Sequence, residues 1–142
     1  MKILVAVDGS APSLKAVQLL VEHCDWYRSA PEVELITVHL PVPKLPRMSA
    51  AVGKGQIERY YKEEGEAMLA AARKKLDAAG VPYQAHILVG PVAEAIVKHA
   101  NDKRCDLIYI GTHGRSALGK ALIGSTATKV LHISDIPVLL VK

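Results

Sequence analysis

The stretch that decides the fold is an apolar run, "CDLIYI" (105–110), that leads directly into "GTHGRSALGKALIGST" (111–126). The sixteen residues of the second stretch include four glycines, three basic side chains counting the histidine, and four hydroxyls. Glycine lets backbone N–H groups approach a ligand, while hydroxyl and basic side chains add further donors. The sequence therefore predicts a buried strand that ends in an anion-binding loop.

Five apolar runs alternate with four helical patterns along the chain. The predicted strands are 2–7, 33–40, 84–89, 106–110 and 137–141. The predicted helices are one with Pro12 in its first turn, one over 56–79, one opened by Pro91, and one capped by Ser125 or Thr126. This order predicts an α/β fold, a doubly wound five-stranded parallel sheet with helices on both faces and strand order 3-2-1-4-5. Such sheets bind ligands at the carboxyl ends of their strands.

Length and composition narrow the class of protein. A chain of 142 residues with 50% hydrophobic and 23% charged residues is typical of one globular domain, 1–142. The formal charge of +4 suits a phosphate-bearing ligand and equally an ordinary solvated surface. The chain has few aromatic side chains on which bases could stack, with five Tyr, one Trp and no Phe, so we expect no nucleic acid partner.

Cellular location can also be predicted. No apolar run approaches the roughly 20 residues that span a bilayer, and Asp8 comes too early for a signal peptide. Cys24 and Cys105 form no C-x-x-C pair and are expected to be buried free thiols. We therefore expect a cytoplasmic protein without a membrane partner.

Three other ligand-binding patterns fit less well. The stretch Gly114–Lys120 matches the start of a P-loop, but Ala121 stands where the motif needs a hydroxyl for Mg²⁺. The dinucleotide fingerprint G-x-G-x-x-G is absent after the early strands. A receiver domain needs an acidic pair after its first strand and a phosphoacceptor Asp after its third, whereas this chain offers Asp8 alone and ends its middle strands in His39 and Gly90.

The spacing that does fit is Gly111-x-x-Gly114, nine residues, then Gly124-Ser125. With "VAVDGS" (5–10), "VGPVAEAIVKHA" (89–100) and "IPVLLVK" (136–142), the sequence resembles the ATP-binding branch of the universal stress protein family, whose signature is G-2x-G-9x-G-(S/T). The resemblance covers nearly the whole chain. It implies an adenine nucleotide alpha hydrolase-like fold and ATP or another adenine nucleotide as ligand, with or without Mg²⁺.

The signature residues have physical reasons of their own. We expect Gly111 to let a ligand's sugar approach the backbone, and Gly114 and Gly124 to leave N–H groups free for phosphate oxygens. Ser125 and Thr126 would add hydroxyl donors at the start of the fourth helix, whose dipole favours negative charge.

Four further positions complete the predicted nucleotide site. Arg115 would screen the outer phosphates, and Asp8 would accept a hydrogen bond from ribose or adenine unless it merely caps the first helix. By analogy with the family, the backbone around Leu40 meets the adenine edge and Val89 lines the base pocket.

No catalytic residue is assigned. The six histidines, His23, His39, His86, His99, His113 and His132, include no H-x-x-x-H or H-E-x-x-H pair, so a zinc site is not expected. No G-x-S-x-G motif for acyl transfer occurs. His39 lies at a predicted strand end and His113 lies in the glycine loop. Both could contact the ligand, although a structural or solvated role is commoner.

Three functions compete. The first is a regulatory stress-response module that signals to a protein partner through its bound ATP or AMP. The second is a slow ATPase or nucleotide-dependent transferase that uses the same pocket, which turnover well above ~1 per second would favour. The third is an interaction module of the same fold that binds no nucleotide, and the intact glycine signature argues against it.

Two segments carry further expectations. "PVPKLPRMSAAVGK" (41–54) contains three prolines and is predicted to be a flexible loop that partly covers the nucleotide. The last strand lies at the sheet edge, is apolar, and predicts a homodimer through Ile136–Val141, in line with the family resemblance. Because Pro137 has no N–H, pairing would centre on 138–141. Replacing Leu139 and Val141 with Lys is predicted to give monomers.

Overall fold

The computed structural model describes residues 1–43, 53–114 and 123–142. Its strands are β1 (Lys2–Ala6), β2 (Glu32–His39), β3 (Tyr83–Val89), β4 (Leu107–Gly111) and β5 (Val138–Val141). Its α-helices are α1 (Ala11–Glu22), α2 (Lys54–Ala78), α3 (Val92–Asp102) and α4 (Ser125–Ile133), with a short 3₁₀ turn at Cys24–Trp26.

The strands form one parallel sheet in the order β3-β2-β1-β4-β5, which confirms the predicted fold. The central strand β1 pairs with β2 on one side and β4 on the other, so that Leu4 lies opposite Glu34 and Ile108. The chain reverses its direction of winding between β1 and β4. A crevice for a ligand is expected at the carboxyl ends of these two strands.

Helices cover both faces of the sheet and create two cores. Ile3 and Val5 of β1 pack into the first core, with α1 and α2, whereas Leu4 and Ala6 pack into the second core, with α3 and α4. Successive residues of a strand point to opposite faces. A strand buried on both faces must therefore be apolar at consecutive positions, which is why its pattern could be recognised in the sequence.

The start of α1 agrees with expectation, whereas the cap of α4 differs from it. Ser10 caps α1 by accepting the Ser13 N–H with its side chain at 3.4 Å, and Pro12 lies in the first turn as predicted. The cap of α4 is Gly124 rather than Ser125 or Thr126. Glycine tolerates the approach of this helix start to the end of β4, which a side chain would hinder.

The segment 41–54 lies largely outside the described residues. Residues 41–43 are exposed, and the Val42 N–H donates to the Tyr61 hydroxyl at 2.6 Å. Lys54 already begins α2, so the predicted loop boundary is wrong at that residue. A Gly53 N-cap with ordinary extended backbone lets the helix begin there.

Both cysteines are free, as expected, but only Cys105 is fully buried, and Cys24 is half-buried. Burial raises the pKa of the Cys105 thiol to about 11. Within the described ranges, no helix combines the length and the apolar character needed to cross a membrane.

Candidate functional site

A cavity of about 260 Å³ opens at the carboxyl ends of β1 and β4, on the side of the second core. Its apolar residues come from the sheet and from α3, and its polar residues from the loops after β1 and β4 and from the start of α4. The apolar lining includes Ala6, Ile36, Val38, Val92, Ile96 and Ile110; the polar lining includes Asp8, Ser13, Thr112, His113, Ser125 and Thr126. An apolar pocket with a few convergent polar groups is the usual form of a small-molecule site.

Asp8 stands at the cavity wall directly after β1. Its Oδ1 accepts the Ser10 N–H at 3.0 Å, and its own N–H donates to Ser13 Oγ at 3.4 Å. Asp8 therefore stabilises the turn into α1, whereas Ser10 caps that helix. Its Oδ2 lies 2.8 Å from the point where a Cβ on Gly114 would stand, so glycine at 114 leaves room for this carboxylate.

The N-terminus of α4 borders the cavity through Ser125 and Thr126. Gly124, its N-cap, has no side chain that could accept the first N–H groups of the helix. The N–H groups of a first helical turn have no acceptor within the helix. Together with the helix dipole, they make this end of the cavity favourable for an anion.

Gly124 itself does not leave its N–H free, contrary to expectation. That N–H donates to the Thr112 carbonyl at 2.6 Å. A Cβ at Gly124 would stand 3.2 Å from the same oxygen. Glycine at 124 thus allows the start of α4 to lie close to the end of β4. The hydrogen-bond donors at the cavity are the N–H groups of the helix turn that follows.

The expected reason for Gly111 is also wrong. A Cβ there would stand 2.7 Å from the carbonyl carbon of Pro12 and 2.8 Å from the Ser13 nitrogen. The first turn of α1 occupies this space. Gly111 does line the cavity, but its lack of a side chain allows α1 to pack on β4.

Two predicted site residues do not line the cavity, and a third lies outside the described residues. Leu40 lies beyond the end of β2 and is 68% exposed, and the preceding carbonyl of His39 accepts the Gly90 N–H at 2.8 Å. Val89 belongs to the outer strand β3 and does not belong to the cavity lining. Arg115 lies outside the described residues.

The position of Val89 follows from strand alternation. Ile87 packs against the first core and Leu88 against the second. Because side chains alternate between faces, Val89 shares the face of Ile87, which is opposite to the cavity. Val38, which the sequence did not single out, does line the cavity.

Most of the residues missed from the sequence lie at regular spacings within their own strand or helix. Ile36 and Val38 have the same parity along β2, and Val92 and Ile96 are four residues apart on α3. Side chains along β1 alternate between the two faces of the sheet, and this alternation puts Asp8 on the cavity side. Applying the same alternation to β2 would have identified Ile36 and Val38. Thr112 was also missed; its Oγ1 lies 3.0 Å from Nδ1 of His113, which does line the cavity.

Comparison with known proteins places the chain in a family. The family model described as "Universal stress protein family" matches residues 1–142. The chain belongs to the universal stress protein family. Universal stress protein MJ0531 of Methanocaldococcus jannaschii is 32% identical to it over 142 residues, which are 99% of this chain and 81% of that relative.

Solved structures agree with this assignment. This universal stress protein resembles the structure of MJ0577 with a TM-score of 0.82 and 29% identity, over 99% of this chain and 94% of that one. It also resembles a universal stress protein solved in complex with cAMP, with a TM-score of 0.68 and 26% identity, over 100% of this chain and 96% of that one.

Proposed function

We propose that this universal stress protein is a regulatory module that binds an adenine nucleotide, ATP, in the cavity between β1 and β4. The observation that carries the proposal is the pairing of an apolar pocket with a helix N-terminus whose cap has no side chain. The first suits a purine base and the second suits phosphate. The relative in complex with cAMP supports an adenine nucleotide as the ligand class.

Each part of the nucleotide has a partner in this proposal. The base packs against Ile36, Val38 and Ile96, which form the apolar side of the cavity. The Asp8 carboxylate accepts a hydrogen bond from the ribose hydroxyls. Gly114 lies directly beside Asp8, where a side chain would collide with this carboxylate.

The phosphates would occupy the end of the cavity formed by α4. There the first-turn N–H groups and the hydroxyls of Ser125 and Thr126 donate to phosphate oxygens, with Mg²⁺ as the accompanying cation. Arg115 remains assigned to the outer phosphates from the sequence alone.

Replacing Ser125 with Asp should reduce phosphate binding without reducing the stability of the fold. Ser125 is exposed at the first position of α4, where a carboxylate favours the helix dipole. The same carboxylate repels phosphate. We expect Ser125→Asp to weaken ATP binding at least tenfold, equivalent to about 1.4 kcal/mol, in calorimetric titration, with an unchanged or slightly higher melting temperature.

Two controls sharpen this experiment. Ser125→Asn has nearly the same shape without the charge, so it should retain most of the affinity for ATP. Adenosine has no phosphate, so Ser125→Asp should bind it as the wild type does. Wild-type protein that binds neither compound, or an Asp variant that binds ATP normally, contradicts the proposal.

We further propose that the protein acts as a homodimer through Ile136–Val141 and that a protein partner reads its nucleotide state. The position of β5 at the edge of the sheet supports the dimer. Nucleotide bound between α1, α3 and α4 would alter how these helices are held, which a partner could sense.

A further inference from the structure

Three side chains that are distant in sequence meet on the second-core side of the sheet. They are Glu34 of β2, His86 of β3 and His99 of α3, and their ligand atoms all lie within 4.8 Å of one another. Oε2 of Glu34 is 2.7 Å from Nε2 of His86 and 3.3 Å from Nε2 of His99. The two imidazole rings lie 4.7 Å apart at an angle of 56°, so they approach the carboxylate from different directions.

This Glu-His-His cluster combines a buried carboxylate with two partly buried imidazoles, of which that of His86 is the more exposed. The Glu34 side chain is 3% exposed, that of His99 12% and that of His86 27%. A carboxylate buried this deeply needs a cationic partner or several hydrogen bonds. The partial exposure of His86 leaves an opening through which an ion and a water could enter.

The cluster is separate from the nucleotide cavity. None of its three residues lines that cavity. Ile36, two residues after Glu34, and Ile96, three residues before His99, do line it. The cluster therefore lies on the same face of the sheet, nearer the amino end of β2.

We propose that Glu34, His86 and His99 bind a divalent transition-metal ion of the Zn²⁺ type. Two imidazoles and one carboxylate are an established ligand set for zinc, with a water in the fourth position. Metal–ligand bonds of about 2.0–2.1 Å in a tetrahedron separate neighbouring ligand atoms by about 3.3 Å. The two separations from the carboxylate, 2.7 and 3.3 Å, lie close to this value, and all three ligand atoms lie within 4.8 Å of one another.

The donor set also discriminates among metals. Imidazole nitrogen suits zinc, copper and nickel, whereas Mg²⁺ and Ca²⁺ prefer oxygen alone. Each histidine would bind through a deprotonated Nε2 with its proton on Nδ1. A competing cation is Nζ of Lys103, 4.0 Å from Oε2 of Glu34. Its long, partly exposed side chain can turn towards solvent when the ion enters.

Calorimetric titration of the full chain, freed of nucleotide, with ZnCl₂ tests the proposal. We expect the wild type to bind one equivalent of Zn²⁺ and to gain thermal stability from it, since a ligand that binds only the folded state raises that stability. His86→Gln and His99→Gln should each weaken Zn²⁺ binding by about tenfold or more. A loss of this size is typical even when the substituted residue only hydrogen-bonds to a metal ligand. Co²⁺ should give visible absorption bands of tetrahedral coordination in the wild type, and these bands should be lost in both variants.

The matched control is His132→Gln, which removes an exposed histidine of α4 and should bind Zn²⁺ as the wild type does. Glu34→Gln keeps a hydrogen-bond acceptor for both imidazoles and leaves no cavity in the core. It therefore tests how much the charge of the carboxylate contributes to Zn²⁺ binding. Wild-type protein without saturable Zn²⁺ binding overturns the proposal, and so do folded His86→Gln and His99→Gln variants with wild-type affinity. Such a result would leave a purely structural hydrogen-bonded cluster and would not affect nucleotide binding, which adenosine titration checks independently.

Discussion

At Gly111, Gly114 and Gly124, the missing side chain leaves room for three different neighbours. These are the backbone of α1 at Gly111, the Asp8 carboxylate at Gly114, and the Thr112 carbonyl at Gly124. A glycine signature that points to phosphate in the sequence is thus also a packing requirement in the fold. Substitutions at the three positions should therefore differ in what they damage first.

Gly111→Ala should lower stability before it affects any ligand. Its methyl group would stand 2.7 Å from the Pro12 carbonyl carbon, and backbone cannot turn aside as a flexible side chain can. We expect a loss of about 1–3 kcal/mol in the free energy of unfolding, the usual cost of overpacking. Urea denaturation followed by circular dichroism measures it.

Gly55→Ala is the control for this substitution. Gly55 lies in the first turn of α2, and a Cβ there would meet nothing within 4 Å. Alanine is the better helix former, so this variant should equal or exceed the wild type in stability by up to about 1 kcal/mol. If Gly111→Ala and the wild type have the same free energy of unfolding, α1 does not pack as closely against β4 as described.

At the scale of elements, α2 and α3 end in the same way with different residues. After α2, Gly80 has φ of 65° and the Val81 N–H reaches back to the Leu76 carbonyl at 3.0 Å. After α3, Arg104 has φ of 54° and the Cys105 N–H reaches the Ala100 carbonyl at 2.8 Å. Both are Schellman endings, in which the left-handed residue is usually glycine.

Arg104→Gly should therefore stabilise the protein. A left-handed conformation costs a residue with a Cβ roughly 1–2 kcal/mol, and glycine removes this cost while adding some entropy to the unfolded chain. We expect a net gain of about 1 kcal/mol, seen as a higher melting temperature in calorimetry. Arg104→Ala removes the same charge but keeps the Cβ, so it should give no such gain. If both variants melt alike, the left-handed residue is not a source of strain.

The face that α3 turns towards the sheet serves two places in the molecule. Val92 and Ile96 line the cavity between β1 and β4, and His99, about one turn further, joins the Glu-His-His cluster. Spacings of three and four residues keep all three on one side of the helix. One element thereby positions both candidate sites.

At the scale of the whole molecule, the question is what covers the outer side of β5. The Ile108 N–H donates to Pro137 O at 2.9 Å and the Thr112 N–H to Val141 O at 2.8 Å. Residues 137, 139 and 141 thus direct their backbone groups towards β4. The backbone groups of Val138 and Leu140 point the other way, and within the described ranges no strand pairs with that side.

Substitution of Val141 by Lys cannot test the dimer, although the sequence suggested it. Val141 is 8% exposed and belongs to the first core. A lysine there would bury a charge and unfold the strand. Loss of the dimer and loss of the fold would then look the same.

Leu140→Pro is the sharper test of the homodimer. Proline removes an N–H that points away from β4, so the pairing of β4 with β5 is kept while the outer edge is blocked. We expect light scattering to give a mass near 15.3 kDa for this variant and about twice that value for the wild type. Leu140→Ile keeps the N–H and should remain dimeric. A wild type that is monomeric at high micromolar concentration contradicts the dimer.

The order of strands and helices and the strand order of the sheet were determined by the sequence itself. They rest on local signals: apolar runs for strands buried on both faces, helical spacing, and short connections that restrict the topology. The same signals located the glycine loop at the correct edge of the sheet. Asp8, Gly114, Ser125 and Thr126 could be predicted to lie near the cavity because each follows or begins an element at that edge.

Only the tertiary structure decided which side chains meet. Val38 rather than Val89 lines the cavity because of the register and alternation of β2 and β3, and the space beside Gly111 belongs to α1 because of how that helix packs. Glu34 and His99 are 65 residues apart, and no spacing rule for metal ligands links them. Their meeting depends on the angle at which α3 crosses the sheet. Packing between distant elements sets that angle, and a local sequence pattern does not record it.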